Sequence, residues 1–199
     1  MVSGMDKLRY QLKHVAVLLV LAGAPVQACR QAGAGPAPQG YEAELVKFRA
    51  GLVKPENLTG GAPSQDALVT QFVRALETRD TAALVRLHLT RAEFAWLYYP
   101  SNPQSRPPYN LSPELMWFME HGNSEKGVSR LLEDRAGVPL GVVSYKCDPV
   151  TSRQGANTLI GPCLVIRVTP SRETLEERLF GLILERGGRH KLVRYSNRP

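Results

Sequence analysis

The sequence has no apolar run long enough to span a membrane as a helix. Its longest hydrophobic segment, residues 15–26, contains 12 residues. As a helix it would rise about 18 Å, whereas the hydrocarbon core of a bilayer is roughly 30 Å thick. We therefore expect no membrane-spanning anchor in this segment.

The sequence also lacks the residue clusters of metal sites, thiol catalysis and nucleic-acid surfaces. Neither Cys147 nor Cys163 has a histidine nearby at the spacing of a zinc ligand or a nucleophile–base pair. The net charge is +7, but the basic side chains are not clustered as a nucleic-acid surface requires. We predict no metal, no cofactor and no nucleic-acid partner. The scattered histidines, expected at the surface or at helix caps, are His88, His121 and His190.

The N-terminal region has the composition of an export signal. Lys7, Arg9 and Lys13 precede the short apolar segment 15–26, and small residues surround Ala28. A basic region, a short apolar region and a small-residue cleavage site are typical of secretory signals. We predict cleavage directly after residue 28.

The residues at this cleavage site, Val26, Gln27, Ala28 and Cys29, resemble the lipobox of bacterial lipoproteins. That motif has an apolar residue three positions before the cysteine and a small residue directly before it. Gln27 departs from the small residue usual at its position. The resemblance implies palmitate or a related acyl chain on Cys29, and a cell-envelope protein facing the periplasm or the exterior. The alternative is ordinary cleavage that leaves Cys29 unmodified.

The sequence divides into three predicted parts. Residues 1–28 form the signal peptide, residues 29–63 the lipidated cysteine with a flexible tether, and residues 64–199 a single domain. The segment 30–40 is rich in Ala, Gly and Pro and has no apolar period, which is typical of a linker. Without the signal the chain keeps 22 basic and 17 acidic side chains, a charge that suits an anionic envelope surface.

The three cysteines are an odd number, which calls for an explanation in an exported protein. Cys147 ends one β-like run and Cys163 begins the next, so the sulfurs come within reach if the runs pair as neighbouring strands. Closing that loop would stabilise the fold by about 3 kcal/mol in the chain-entropy model. We predict a Cys147–Cys163 disulfide, which leaves Cys29 free for a lipid. The alternative is a pair of reduced core cysteines.

Helix signals fill the first half of the predicted domain. Each helix begins at a side chain that can accept a hydrogen bond from the first-turn amides. Thr90 and Glu93 have the spacing of a capping box, which gives Glu93 a structural role. We expect Gly122 to end the helix that starts at Pro113, and another helix to follow it. The predicted N-caps are Ser64, Asp80, Thr90 and Ser112.

The second half of the domain is β-rich. A glycine pair, Gly187 and Gly188, predicts a tight hairpin between the last two strands. In the last strand Lys191 alternates with Leu192, which predicts one face in water. Helices followed by an antiparallel meander predict an α+β fold, with N-terminal helices packed on a curved sheet of about four strands. The predicted strands are 140–147, 163–170, 178–186 and 190–197.

Phe72 and residues 79–84 resemble the opening helix pair of the nuclear transport factor two-like superfamily, which includes ketosteroid isomerase-like proteins. The resemblance implies a cone-like α+β domain in which helices and a strongly curved antiparallel sheet enclose a pocket. The chain departs from it at residues 91–122, where the family has a strand between its second and third helices. No positions match the carboxylate base and tyrosine of the isomerases.

Aromatic residues are concentrated between Phe94 and Phe118. Aromatic rings with polar tips suit sugars and amphipathic ligands, so this region is the candidate ligand site. The alternative is that these rings fill the core. The candidate ligand-binding residues are Glu93, Trp96, Tyr98, Tyr99 and Trp117.

These observations leave three functional hypotheses. The first is a membrane-anchored lipoprotein without a catalytic constellation, which binds a small molecule, an envelope component or a partner. The second is a ketosteroid isomerase-like or hydrolase enzyme that uses Glu93 or Asp148 with a tyrosine. The third is a structural or assembly protein that forms a homodimer through its sheet. A carboxylate that points into an enclosed cavity would favour the enzyme.

Overall fold

The computed structural model describes residues 39–149 and 152–196, which form an α+β fold, as predicted. The predicted signal peptide, Cys29 and residues 30–38 of the predicted tether lie outside the described residues. Among the described residues, none of the helices is long and apolar enough to cross a membrane. The helices are α1 (Gln39–Arg49), α2 (Gln65–Glu77), α3 (Thr81–Leu87), α4 (Arg91–Glu93) and α5 (Pro113–Asp134).

The helices begin where local capping predicts. The side chains of Ser64, Asp80 and Ser112 accept hydrogen bonds from backbone amides three residues later, at 2.8–3.2 Å. Thr90 and Glu93 form the predicted capping box at the start of α4. From α4 the chain continues as a π-turn, Phe94–Tyr98, and a 3₁₀ turn, Tyr99–Ser101. The four predicted N-caps are therefore confirmed.

Helix α5 runs further than the sequence predicts. It runs for 22 residues, from Pro113 through Gly122 to Asp134, so the expected break and second helix are wrong. Gly127 lies inside it against the backbone of Ser196, where a Cβ would be only 2.6 Å from the carbonyl oxygen. A mid-helix glycine costs about 1 kcal/mol relative to alanine. Here it allows the C-terminal strand region to approach the helix.

In the part of the chain that the structure describes, the β-rich half forms seven strands in two antiparallel sheets rather than one sheet of about four strands. One sheet has the order β1-β4-β5 and the other β2-β3-β6-β7. The predicted glycine hairpin joins β6 to β7, with φ of 53° at Gly187 and 71° at Gly188. The strands are β1 (Val142–Cys147), β2 (Ser152–Gln154), β3 (Asn157–Ile160), β4 (Cys163–Val168), β5 (Thr174–Glu177), β6 (Ile183–Arg186) and β7 (Arg189–Leu192).

Within each sheet the strands pair in antiparallel register. Cys147 faces Cys163 on β1 and β4, and Ser152 faces Leu159 on β2 and β3. Strands β1 and β4 are therefore neighbours in one sheet, and β2 and β3 are neighbours in the other. The same Cys147–Cys163 pairing brings the two sulfurs to disulfide distance, across neighbouring strands as expected.

Both faces of the four-stranded sheet are covered. On β6, Ile183 packs in a cluster with α2 and α3, whereas the adjacent Leu184 packs in a second cluster with α1 and the π-turn. Because successive strand residues point to opposite faces, each cluster occupies one side. Lys191, predicted on a wet face, is only 1% exposed. The solvent-exposed face expected for the last strand is therefore wrong.

Helix α1 belongs to this core although the sequence assigns it to the tether. Leu45 and Phe48 of α1, and Leu58 after it, are each about 4% exposed. The ring of Phe48 meets Phe94 edge to face at 5.8 Å. Folded structure is therefore present from Gln39 onward, well before the domain start predicted at residue 64.

Candidate ligand-binding cavity

A largely apolar cavity of about 390 Å³ lies between α3 and α5. Its walls are formed by side chains of both helices, by residues 89–91 and by Tyr195, which follows β7. Volumes of 300–1,000 Å³ are usual for small-molecule sites. The apolar lining includes Leu84, Val85, Leu89, Trp117, Val128 and Leu132.

The lining residues are spaced along each helix so that they lie on the face that borders the cavity. On α5 the lining positions 117, 121, 124, 128 and 132 recur at intervals of three and four, which places them on one helix face. At α3 the lining includes Leu84 and, four positions later, the C-cap residue His88. The Tyr195 hydroxyl donates to the carbonyl of Leu84 at 2.5 Å, which ties α3 to the end of the sheet.

His88 is the buried polar group of this cavity. It is 8% exposed, and its Nε2 is buried without a hydrogen-bond partner. Its ring stacks on Tyr195 with centroids 5.9 Å apart. Burial lowers the pKa of His88 to about 4, and the nearby His121 and Lys191 also disfavour its charged form. At neutral pH, His88 therefore presents an uncharged imidazole to the cavity.

His121 and Trp117 form the outer part of the α5 wall. Their rings stack with centroids 4.6 Å apart and an interplanar angle of 10°. His121 Nε2 contacts Glu125 Oε1 at 3.1 Å, and the side chain of His121 is 40% exposed. His121 Nδ1 is buried without a partner. Two unpartnered imidazole nitrogens therefore belong to residues lining one cavity.

The charged side chains of the lining lie at its edge. Arg91 pairs with Glu114 at 3.1 Å, and both side chains are largely exposed. Glu125 is 67% exposed and pairs with His121. The interior of the cavity therefore has no fixed charge among the residues that line it.

Glu93, the predicted carboxylate, lies outside the cavity lining in a saturated network. The backbone amide and hydroxyl of Thr59 donate to Oε1 at 2.6 and 3.0 Å. The Thr90 amide and Lys191 Nζ donate to Oε2, both at 2.8 Å. Glu93 is fully buried, so no lone pair faces a substrate. This geometry makes Glu93 a structural anchor and a poor general base.

The other predicted site residues fill the core or pack beside it, except one. Tyr98 is 3% exposed, and Tyr99 is fully buried with its hydroxyl donating to the Leu111 carbonyl at 2.7 Å. Burial raises the pKa of Tyr98. Trp96 lies under the guanidinium of Arg49, 3.9 Å from its ring centroid. Of the five predicted ligand-binding residues, only Trp117 lines the cavity.

The sequence does not single out the two histidines that matter most here. His88 does lie at the C-terminal end of α3, as a capping role predicts, but it is buried. The signal that could have found it is its spacing of four from the buried Leu84, which puts both on one helix face. His121 stands in the same relation to Trp117.

Asp148, the second candidate carboxylate, lies beyond the end of β1. Its backbone amide donates to the carbonyl of Pro162 at 3.0 Å. It borders a shallow surface hollow together with Tyr145 and Cys147, away from the cavity between α3 and α5. Within residues 39–149 and 152–196, no group of three or more His, Cys, Asp or Glu side chains could hold a metal ion.

In comparisons with protein-family models, curated proteins and solved structures, nothing matches this chain. The cavity and its imidazoles are therefore the basis on which a function can be proposed.

Proposed function

We propose that this chain is an exported bacterial lipoprotein, anchored through Cys29, whose α+β domain binds a small, largely apolar molecule between α3 and α5. The observation that carries the binding function is His88 Nε2, buried without a partner beside an apolar cavity. An unsatisfied buried polar atom costs about 1–3 kcal/mol, and most such atoms are satisfied. A ligand in the cavity would supply the missing partner.

The domain is also proposed to be cone-like, as the superfamily resemblance implies. The antiparallel pairing of β1 with β4 in one sheet and of β2 with β3 in the other supports a single, strongly bent meander. Gly161 and Pro162 lie between β3 and β4, where one sheet gives way to the other. The enzymatic alternative has less support because Glu93 is saturated and Asp148 lies outside the cavity.

The binding function can be tested by filling the cavity. Val128→Trp adds a large ring to the α5 wall, whereas Val138→Trp places the same ring at an exposed position. With naphthalene as the probe, the full chain purified from the cell envelope should show saturable quenching of tryptophan fluorescence. Val128→Trp should weaken binding at least tenfold and Val138→Trp should not change it. Absence of saturable binding by the unsubstituted chain would refute the function.

The proposed lipid attachment at Cys29 can be tested separately. Cys29→Ser should abolish incorporation of alkyne-tagged palmitate, because the acylated sulfur is lost. The matched control is Cys147→Ser/Cys163→Ser, which removes the other two cysteines and should leave labelling intact. Unchanged labelling of Cys29→Ser would refute lipidation at this residue. Mass spectrometry without reductant should also show Cys147 linked to Cys163, since an oxidising compartment favours the bond.

A further inference from the structure

The imidazole of His88 also restricts the chemistry of the ligand. We propose that the cavity takes a neutral amphiphile with an apolar body and an uncharged hydroxyl that pairs with His88 Nε2. This inference rests on the proposed binding function and goes beyond it by naming the ligand class. It follows from three features of the site: the charge of its interior, the hydrogen-bonding capacity of His88 and the apolar walls.

The interior offers no counter-ion to a charged ligand. Lys191 approaches from the sheet, but its Nζ donates to Glu93 at 2.8 Å and to the His88 carbonyl at 3.1 Å. Arg91 and Glu125 lie at the edge, where each is paired. A carboxylate or ammonium group carried to His88 would lose its hydration without gaining an opposite charge, which is strongly unfavourable. The group that reaches His88 is therefore neutral.

A hydroxyl matches His88 better than other neutral groups. A neutral imidazole carries its proton on one nitrogen, so Nε2 is a donor in one tautomer and an acceptor in the other. A hydroxyl can donate and accept, and therefore pairs with Nε2 in either case. Tyr195 cannot supply this bond because its hydroxyl already donates to Leu84. The backbone of Val193 and of Leu89 also lies beside the ring, but neither forms a hydrogen bond with Nε2 of acceptable geometry, which leaves this nitrogen for a ligand or for water.

The rest of the lining favours an apolar body. Leu84 and Leu89 line the side near α3, and Val128 and Leu132 line the α5 side. Burying an apolar group against such walls contributes roughly 25 cal/mol per Å². The aliphatic walls thus supply affinity, while His88 selects the polar group.

Three probes of matched shape separate these contributions. Naphthalene has only the apolar body, 2-naphthol adds a neutral hydroxyl, and 2-naphthoate adds an anion. For the full chain at neutral pH, 2-naphthol should bind about fivefold more tightly than naphthalene, the gain from one hydrogen bond. 2-Naphthoate should bind most weakly of the three.

Substitution of single histidines then locates the hydroxyl. His88→Phe should abolish the preference for 2-naphthol over naphthalene, and its far-UV circular dichroism spectrum should match that of the unsubstituted chain, which shows that the variant is folded. The matched control is His190→Phe, the same substitution on β7 outside the cavity lining, which should keep the preference. His121→Phe should keep it as well, because the proposed partner is His88.

The outcomes distinguish this inference from the function beneath it. Equal affinities for naphthalene and 2-naphthol in the unsubstituted chain would overturn the ligand class but leave the binding function standing. Tightest binding of 2-naphthoate would also overturn the ligand class, as would loss of the preference in His121→Phe alone. If naphthalene itself does not bind, both the proposed binding function and the proposed ligand class are refuted.

Discussion

Two polar groups, the carboxylate of Glu93 and the imidazole of His88, are buried close together, and they differ in how fully they are hydrogen-bonded. Four donors surround the Glu93 carboxylate. His88 Nε2 has no partner. Lys191 connects the two, because its Nζ donates both to Glu93 and to the backbone carbonyl of His88.

This difference distinguishes a buried residue that stabilises the fold, Glu93, from a buried residue that is proposed to bind a ligand, His88. The Glu93 network joins Thr59, Thr90 and Lys191, so the carboxylate holds three distant chain segments together. A buried ion pair is tolerated when its geometry is good and its remaining atoms are hydrogen-bonded. His88 has burial without that satisfaction, and it lines a cavity large enough for a ligand. The imidazole of His88 is therefore the better indicator of function, although Glu93 is the carboxylate that the sequence suggests as a site residue.

The largest effect is expected from breaking the satisfied network. Lys191→Met leaves the Glu93 carboxylate buried without a counter-ion, which should lower the free energy of unfolding by about 3–5 kcal/mol. Urea denaturation measures this loss. The control is Glu114→Gln in the exposed Arg91–Glu114 pair, which should cost less than about 1 kcal/mol.

A second substitution sharpens this test. Glu93→Gln/Lys191→Met removes the stranded charge and keeps a side chain that can still accept hydrogen bonds. The double variant should therefore be more stable than Lys191→Met alone. A loss below about 1 kcal/mol in Lys191→Met would show that the network is not structural.

The next effect is a dependence of stability on pH that comes from His88. Its pKa in the folded state, about 4, lies below the ordinary value of 6.5. Between these two pH values the unfolded chain binds more protons than the folded chain. The contribution of His88 to the free energy of unfolding is therefore complete above about pH 6.5 and is lost as the pH drops toward 4. The expected loss attributable to His88 is about 3 kcal/mol.

Comparison with His88→Phe isolates this contribution from other titrating groups. Arg167 and Arg135 hold the pKa of Glu177 below its usual value, so Glu177 also makes the fold less stable in acid. That contribution is common to both proteins. Urea denaturation at pH 7, 5.5 and 4 should show a shallower loss for His88→Phe. Parallel losses in the two proteins would contradict the buried, neutral state of His88.

The helix starts could be predicted from sequence because capping is local. Ser64, Asp80 and Ser112 contact amides only three residues away, and the capping role of Glu93 depends on Thr90 at the same spacing. Thr59 and Lys191, which donate three of the four hydrogen bonds to Glu93, are 34 and 98 residues away. No local pattern encodes such contacts, so only the hydrogen bond from the Thr90 amide could be predicted.

Long-range packing also explains the errors in the elements. The sequence predicts that Gly122 ends the helix because glycine is helix-breaking by propensity. The helix instead continues through Gly122 and through Gly127, where only a glycine allows the close approach of Ser196. The sequence predicts a wet face for Lys191 because strand alternation does not reveal that a second layer, including α1, covers that face. The α+β class itself followed from element order, which needs no knowledge of layers.

The candidate site was the least predictable part. Aromatic density pointed to Tyr98 and Tyr99, whose burial in the core leaves no surface for a ligand. Trp117 does line the cavity, but the sequence offers it only as one member of that aromatic set. His88 lies on an apolar helix face with Leu84, and whether such a histidine is satisfied depends on the sheet packed against it.

A smaller effect is expected when the unsatisfied group itself is replaced at neutral pH. His88→Phe removes a nitrogen that has no partner and keeps an aromatic ring beside Tyr195. Its free energy of unfolding should stay within about 1 kcal/mol of the unsubstituted chain, far from the loss expected for Lys191→Met. Urea denaturation at pH 7 measures both. A loss above about 3 kcal/mol would assign His88 to the structural network instead.

The smallest effect is expected at the rim of the cavity. Glu125→Gln breaks the pair with His121, whose members are four residues apart on α5 and largely exposed, so the loss of stability should be at most about 0.5 kcal/mol. Because the ligand hydroxyl is proposed to lie at His88, 2-naphthol affinity should change less than twofold. A fivefold fall would place the polar end of the ligand at the rim, beside His121. The unpartnered nitrogen that selects the ligand would then be Nδ1 of His121 rather than Nε2 of His88.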